Sequence, residues 1–323
     1  MDTLGHMDET RTQVHDTIII GGGVAGLSAA LMLGRARRDA VVIDAGAPRN
    51  RFAAHMNGVL GHDGVDPAEL LRSGRAEASA YGVTFVDAAV RRVDHSGSGL
   101  AVTTEDGATR TGRTVILATG ITDRLPPIPG LAQRWGASVL HCPYCHGWEV
   151  RDRRLGVLAT SPMALHQVQL IRQWSDDVVF LAAGAGDLDD DVRARLRARG
   201  IRIVDRAVTE VLGAGDDLTG VRLDDGDVVE LDAIFTGGVP EPHDRMLEPL
   251  RLARADGPMC DLITVDAVGQ TSDPRVWAAG NVVSPNANVP VAMGAGSFAG
   301  AAVNARLVAW EFDEALERSR VQA

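Results

Sequence analysis

The chain has 323 residues, 45% hydrophobic and 23% charged, with Gly 36, Cys 3 and a formal net charge of -11. That length suits two domains of ordinary size, and the balance is that of a globular protein rather than a disordered or fibrous one. The acidic excess excludes nucleic acid and an anionic membrane surface as main partners, because both would repel it; a small molecule or a protein remains.

Residues 1–16 are polar and acidic, with no basic segment ahead of an apolar core, so no secretory signal is expected. Gly5-His6-Met7 reads as a cloning scar ahead of a start at Met7. With so few cysteines the expected location is the cytoplasm. Residues 17–34 and 282–305 are free of charge and long enough to raise a membrane helix. Glycine, proline and asparagine interrupt both at positions that suit ligand loops, so no membrane span is expected.

Thr17-Ile18-Ile19-Ile20 predicts a short buried strand, followed by a glycine turn and a small-residue helix. Gly21, Gly23 and Gly26 form G-x-G-x-x-G in the context that gives this pattern meaning. The first permits the tight turn, the second lets backbone approach a pyrophosphate, and the third lets the helix pack closely on the strand. The next strand, Ala40-Val41-Val42-Ile43, ends in Asp44, placed to accept hydrogen bonds from a ribose. Gly46, Arg49, Asn50 and Arg51 follow, suited to phosphate and adenine contacts, although the arginines are equally readable as solvated surface charges.

A helix is predicted over 66–81, a strand over 82–93 that includes Val90, and a hairpin over 99–113 turning at Asp106-Gly107. Thr114 to Leu117 reads as a buried strand running into the small-residue turn Ala118-Thr119-Gly120, and Pro126-Pro127-Ile128-Pro129-Gly130 as a stiff connector between domains.

Two of the three cysteines then fall in His141-Cys142-Pro143-Tyr144-Cys145-His146-Gly147-Trp148-Glu149. In a C-x-x-C loop the sulfurs cannot escape each other and the pair can cycle between dithiol and disulfide. A structural zinc site needs four nitrogen or sulfur ligands, and Cys260 alone is left to join them, so no metal is expected. The following segment has the shape of a second nucleotide unit: strand 154–158, helix 163–174, strand 178–181. Its turn, Ala159-Thr160-Ser161-Pro162-Met163-Ala164, holds no glycine, and Pro162 removes a donor. The stretch 182–187 lacks the arginines that would pair with an NADP 2′-phosphate. Residues 193–199 predict a charged, solvated helix, and 212–234 short strands that end in Ile234-Phe235-Thr236-Gly237-Gly238, an echo of 117–120.

Past Pro240 a strand over 276–281 ends in Asn281, which can hold a ribityl hydroxyl. Val289 opens a glycine-rich segment leading into a small-residue helix whose first N–H groups can stabilise negative charge, and 306–318 predicts an amphipathic terminal helix. The candidate cofactor-binding set is therefore Gly21, Gly23, Gly26, Asp44, Gly46, Arg51, Val90, Ala118, Thr119, Gly120, Asn281 and Val289. The expected fold is α/β, an imperfect internal duplication: a Rossmann-like dinucleotide domain, 14–122 and 241–323, and a degenerate NAD(P)H-like domain, 123–240, carrying the C-x-x-C.

Taken together, the glycine fingerprint, Ala118-Thr119-Gly120, the central C-x-x-C and Ala279-Gly280-Asn281 resemble the low-molecular-weight thioredoxin reductase class of flavoproteins. Within it, Cys142-Pro143-Tyr144-Cys145-His146-Gly147 and Met163-Ala164-Leu165-His166-Gln167 are closer to the dithiol oxidases that close disulfides in natural products such as gliotoxin, holomycin and romidepsin. The resemblance implies FAD, a homodimer, a small-molecule dithiol substrate and O2 as final acceptor giving H2O2. Cys142 would meet the substrate, Cys145 would face the flavin, and His146 would move the proton and stabilise thiolate as imidazolium. Two positions depart from thioredoxin reductases, which carry an acid after the second cysteine and an aspartate near the ribityl chain; here they are His146 and Asn281. The rival readings are a disulfide reductase fed by NADPH or ferredoxin and a non-catalytic flavin-binding sensor.

Overall fold

In the computed structural model, which describes residues 13–161, 163–257 and 260–322, the described helices in chain order are α1 (Val24–Arg35), α2 (Pro67–Ala80), α3 (Pro143–His146), α4 (Ala164–Ile171), α5 (Asp190–Ala198) and α6 (Val289–Gln322). The described residues divide into two compact units: those within 13–48, 71–121 and 242–322 in the first, those within 49–70 and 122–241 in the second. Residues 49–70, expected within the first domain, thus pack with the second.

The first unit is built on a seven-stranded sheet. Val14–Ile20 lies between Ala40–Asp44 and Thr109–Leu117, parallel to both, with Ile18 level with Val41 and Val115. Both faces of that central strand are covered. Ile19 joins the core under α1 and α6, while Ile18 and Ile20 join the core on the opposite face, which is why the strand reads as an unbroken apolar run. The predicted strand over 82–93 is two elements: Thr84–Asp87 pairs in parallel with Ala40–Asp44, and Val90–Ser96 opens an antiparallel meander through Gly99–Thr104.

The end of the chain departs most from expectation. The strand at 276 stops at Ala278, and Gly280, at φ 80, turns into a single 3-10 turn. From Val289 onward one unbroken helix of 34 residues replaces the predicted loop, small-residue helix and separate terminal helix. Pro290 does not interrupt it because it stands in the first turn, where its missing N–H has no intrahelical partner to lose. Gly296 and Gly300 are contact points rather than breaks: a Cβ would stand 2.0 Å from the Ala25 carbonyl oxygen and 2.8 Å from that of Ala29, so both glycines let α6 lie directly on α1. Arg38 fastens the middle of the helix, donating to Asn304 Oδ1 at 2.7 Å and pairing with Glu311. By length and composition α6 could cross a membrane; it is the one described helix of which this is true, and its small residues are used against α1.

The second unit repeats the plan. A five-stranded sheet runs in the order Arg202–Val204, Val178–Leu181, Leu155–Leu158, Ala233–Phe235, Val139–Leu140, parallel throughout, beside a three-stranded antiparallel sheet formed within 208–230. The charged helix begins earlier than predicted, at Asp190, because Asp189 caps it by accepting from the Val192 N–H at 2.7 Å. Where the chain crosses between units, Ile121–Arg124 pairs with Val239–Pro242.

Candidate functional site: a redox loop and a glycine cradle

At the glycine turn of the first unit, each glycine has a distinct reason. Gly21 has φ 105 and a Cβ there would stand 2.5 Å from the Ala118 carbonyl oxygen; a Cβ at Gly26 would stand 1.9 Å from the Gly21 oxygen. Those two hold strand, helix and the Ala118 turn together. Gly23 differs, since nothing lies within 4 Å of where its Cβ would be, and α1 begins there with no side-chain cap. An open space fronted by first-turn N–H groups is the shape and polarity a pyrophosphate needs. Asp44 is placed beside it and accepts from the Gly22 N–H at 2.9 Å, so one carboxylate oxygen already braces the turn.

The other predicted cofactor residues are less uniformly disposed. Gly46 and Gly120 adopt φ 71 and 69. Ala118 is buried, and Thr119 donates through Oγ1 to the His243 carbonyl at 2.5 Å. Val90 starts its strand within the core. Arg51 lies over the Phe52 ring, 4.2 Å from its centre, and Arg49 makes a bidentate pair with Asp123, both bonds 2.7 Å. Asn281 spends its Nδ2 on the carbonyls of Ser284, Pro285 and Ala287, which leaves Oδ1 as its acceptor for a ligand. The expected row of N–H groups at α6 is mostly absent: Pro290 has none, and that of Val291 is given to Asn288 Oδ1 at 3.2 Å, so Val289 alone can donate from that turn.

In the second unit Cys142 and Cys145 form a disulfide across α3, with Cα atoms 5.3 Å apart. Cys142 is the N-cap, and its sulfur accepts from the Cys145 N–H at 3.3 Å. The same donor would stabilise a thiolate at Cys142. Trp174 closes the loop from below: it meets Tyr144 edge-on with ring centres 5.8 Å apart, and a Cβ at Gly147 would stand 2.7 Å from its ring. Two amides reach the loop from elsewhere, Asn57 Nδ2 donating to the Cys145 carbonyl and Gln167 Nε2 to the His141 carbonyl, each at 2.8 Å. Asn57 carries no local signal in the sequence, because its partner is 88 residues away.

Burial pulls the pKa of His146 below its ordinary 6.5; Glu149 opposes the shift and His141 adds to it. The ring is therefore neutral at pH 7, which favours a proton acceptor over an imidazolium. His141 is also lowered, by burial and then by the Arg49 cation, with Asp123 and the Thr236 backbone opposing; its Nδ1 is buried without a hydrogen-bond partner. Since the folded pKa values lie below the unfolded ones, both histidines contribute stability above about pH 6.5 that is lost as acid forces protons onto them. The acid limb of any reaction that uses His146 as base should accordingly lie below pH 6.5. His146→Gln is expected to abolish that limb and lower kcat/KM by roughly 100-fold; a pH–rate profile with an unmoved acid limb would remove His146 from the chemistry.

The turn before α4 contrasts with the one before α1. Ser161 carries a side chain where the first turn has Gly23, and Thr160 Oγ1 donates across to the Gly237 carbonyl at 2.9 Å. Pro162 lies outside the described residues.

Comparison with known proteins agrees with this arrangement. The family described as pyridine nucleotide-disulphide oxidoreductase matches residues 15–296. Thioredoxin reductase tcpT of Claviceps purpurea (strain 20.1) is 33% identical over 316 residues, spanning 92% of this chain and 96% of that protein. Thioredoxin reductase sirT of Leptosphaeria maculans is 32% identical, spanning 91% and 95%. Among solved structures, HlmI is similar with a TM-score of 0.91 at 43% identity, covering 97% of this chain and 99% of that one. An oxidoreductase from Agrobacterium tumefaciens follows with a TM-score of 0.86 at 39% identity, covering 92% and 99%. A glycine cradle open for a dinucleotide, a disulfide on a one-turn helix and this match across most of the length lead to one conclusion: the chain belongs to the pyridine nucleotide-disulphide oxidoreductase family and is a thioredoxin reductase-like, FAD-dependent oxidoreductase.

Proposed function

We propose that this flavoenzyme oxidises a small-molecule dithiol to its disulfide through Cys142 and Cys145, with O2 as final acceptor and H2O2 as by-product. The observation that carries the reading is the contrast between the two turns. The first offers backbone N–H groups and open space at Gly23, whereas the second is crossed by the Thr160 hydrogen bond to Gly237. A pyridine nucleotide feeding electrons inward needs a second cradle of the first kind. The name thioredoxin reductase borne by the relatives favours the reverse direction, with NADPH or a protein such as ferredoxin as donor.

In the proposed reaction a substrate thiolate attacks the Cys142 sulfur. The substrate–Cys142 bond forms as the Cys142–Cys145 bond breaks, and Cys145 leaves as thiolate. The second substrate thiol then attacks the substrate's own bonded sulfur, expels Cys142 and departs as a disulfide, leaving two electrons on the protein dithiol. Cys142 is a good leaving group because the Cys145 N–H already points at its sulfur. His146, neutral through burial, accepts the proton of the incoming thiol. FAD, when bound, supplies the two-electron acceptor that restores the disulfide.

Side chains around the loop support an apolar or heteroaromatic substrate. Tyr144 and Trp148 are 72% and 65% exposed, and Leu60, three residues along from Asn57, is fully exposed. A second copy of the chain is the partner that best suits the outer face of α6, where Val291, Phe298, Phe312 and Leu316 are exposed. The test is anaerobic: a small apolar dithiol should bleach the flavin within turnover while NADPH leaves it oxidised, and oxygen should then yield one peroxide per dithiol. Rapid stoichiometric bleaching by NADPH would overturn the oxidase reading, reduction by ferredoxin with no response to dithiols would favour the second reductase route, and no turnover with any dithiol would leave a sensor. Light scattering on the same preparation should give the mass of two chains; a single-chain mass refutes the pairing.

A further inference from the structure

The redox loop is one helical turn long, too short to satisfy its own carbonyls. Within it, Cys145 and His146 both donate to the Cys142 carbonyl at 3.2 Å, and Gly147 donates to that of Pro143 at 2.7 Å. The carbonyls of His141, just before the turn, and of Cys145, within its second half, have no backbone donor in the turn. They are the two that Gln167 and Asn57 reach, each at 2.8 Å.

Neither amide is a loose surface group. Asn57 opens a loop whose base is closed by Met56 and Val65, Met56 donating to the Val65 carbonyl at 2.8 Å and Gly64 to the Met56 carbonyl at 2.9 Å, with Met56 itself buried. Gln167 stands on α4 beside Val168, which is fully buried in the core of this unit. The redox turn is therefore held at both ends by donors fixed to separate parts of the unit.

We propose that Asn57 and Gln167 are positioning residues that set the thiol–disulfide equilibrium of Cys142 and Cys145. A disulfide needs its Cα atoms within a narrow range, and the 5.3 Å found here lies inside it. On reduction the two sulfurs are no longer bonded and move apart. A backbone gripped at both ends resists that separation, so the clamp favours the disulfide over the dithiol. The effect acts on the equilibrium between protein disulfide plus two glutathione thiols and protein dithiol plus glutathione disulfide, and it holds whichever way electrons flow in turnover.

The experiment uses the full-length flavin-loaded protein, equilibrated without oxygen in glutathione buffers of graded ratio, then acid-quenched and alkylated so that mass spectrometry reads the Cys142–Cys145 peptide. Asn57→Leu and Gln167→Met each keep the approximate size of the side chain and remove the donor without adding a charge. Each is expected to shift the midpoint roughly fivefold to tenfold toward the dithiol, the scale of one hydrogen bond, with flavin content unchanged, and the pair together should shift it further than either alone. Gln169→Met, exposed on the same helix, should leave the midpoint where it is. Unmoved midpoints in flavin-retaining variants, or an equal shift from Gln169→Met, would overturn the proposal. The two positions lie on separate segments, so either variant that folds decides it.

Discussion

Replacing Cys145 with serine is expected to reduce dithiol-dependent oxygen consumption by roughly three orders of magnitude or more, as removal of one member of a chemical unit generally does. The reason lies in what the substitution leaves behind. The N–H that points at the Cys142 sulfur belongs to the backbone of residue 145, so it survives and Cys142 remains an activated thiol. What disappears is the internal partner: without a Cys142–Cys145 bond to break, a dithiol has nowhere to deliver its electrons. The variant should still trap thiol reagents at Cys142, and should carry its full complement of flavin, because the Gly23 cradle lies in the other unit. The fold should barely notice, since closing so short a ring removes little freedom from the unfolded chain. An oxygen electrode and a flavin-to-protein absorbance ratio on the same sample check all of this. Oxygen consumption at the wild-type rate would show that the two cysteines do not form the redox pair of the reaction.

The parts of this molecule that could be read in advance are those in which a local steric demand selects one residue type. Gly26 must be glycine because any side chain would run into the Gly21 carbonyl, and the two stand five positions apart in one motif. The C-x-x-C loop is likewise self-contained. Where the deciding contact is remote, the residues mislead. Glycines and a proline made residues 288–296 look like a ligand segment ahead of a separate helix, yet Gly296, like Gly300 further on, is small because α1 lies against it, and one helix runs from Val289 to Gln322. Arg38 secures it across 266 positions of sequence. The same holds for function. Arg49 could be read as a phosphate ligand or a surface charge until Asp123 was seen to hold it. His146 was expected to stabilise thiolate as imidazolium, and its burial, which lowers its pKa, speaks for the neutral ring instead. Asn57 had no reading at all, because the carbonyl it serves is supplied by another segment.

Gly23→Asp is expected to produce a folded protein that has lost its flavin. At Gly23 the backbone has φ -71 and ψ -179, which any residue adopts without strain, and nothing stands within 4 Å of the new Cβ. An aspartate there is also a favoured N-cap for α1, worth about 1 kcal/mol to the helix. The carboxylate, however, fills the space and takes the N–H groups that a pyrophosphate would use, and adds a like charge to it. Flavin affinity should fall at least about 100-fold, or about 2.7 kcal/mol, while the melting temperature of the flavin-free protein stays level or rises. Gly26→Val provides the contrast: its Cβ would stand 1.9 Å from the Gly21 carbonyl oxygen, so it should lose flavin and fold together. Absorbance of the purified proteins and melting of their flavin-free forms separate the two cases. If Gly23→Asp is purified with a full complement of flavin, the open space at Gly23 is not the site of the pyrophosphate. If instead both variants unfold alike, Gly23 serves the turn rather than the ligand.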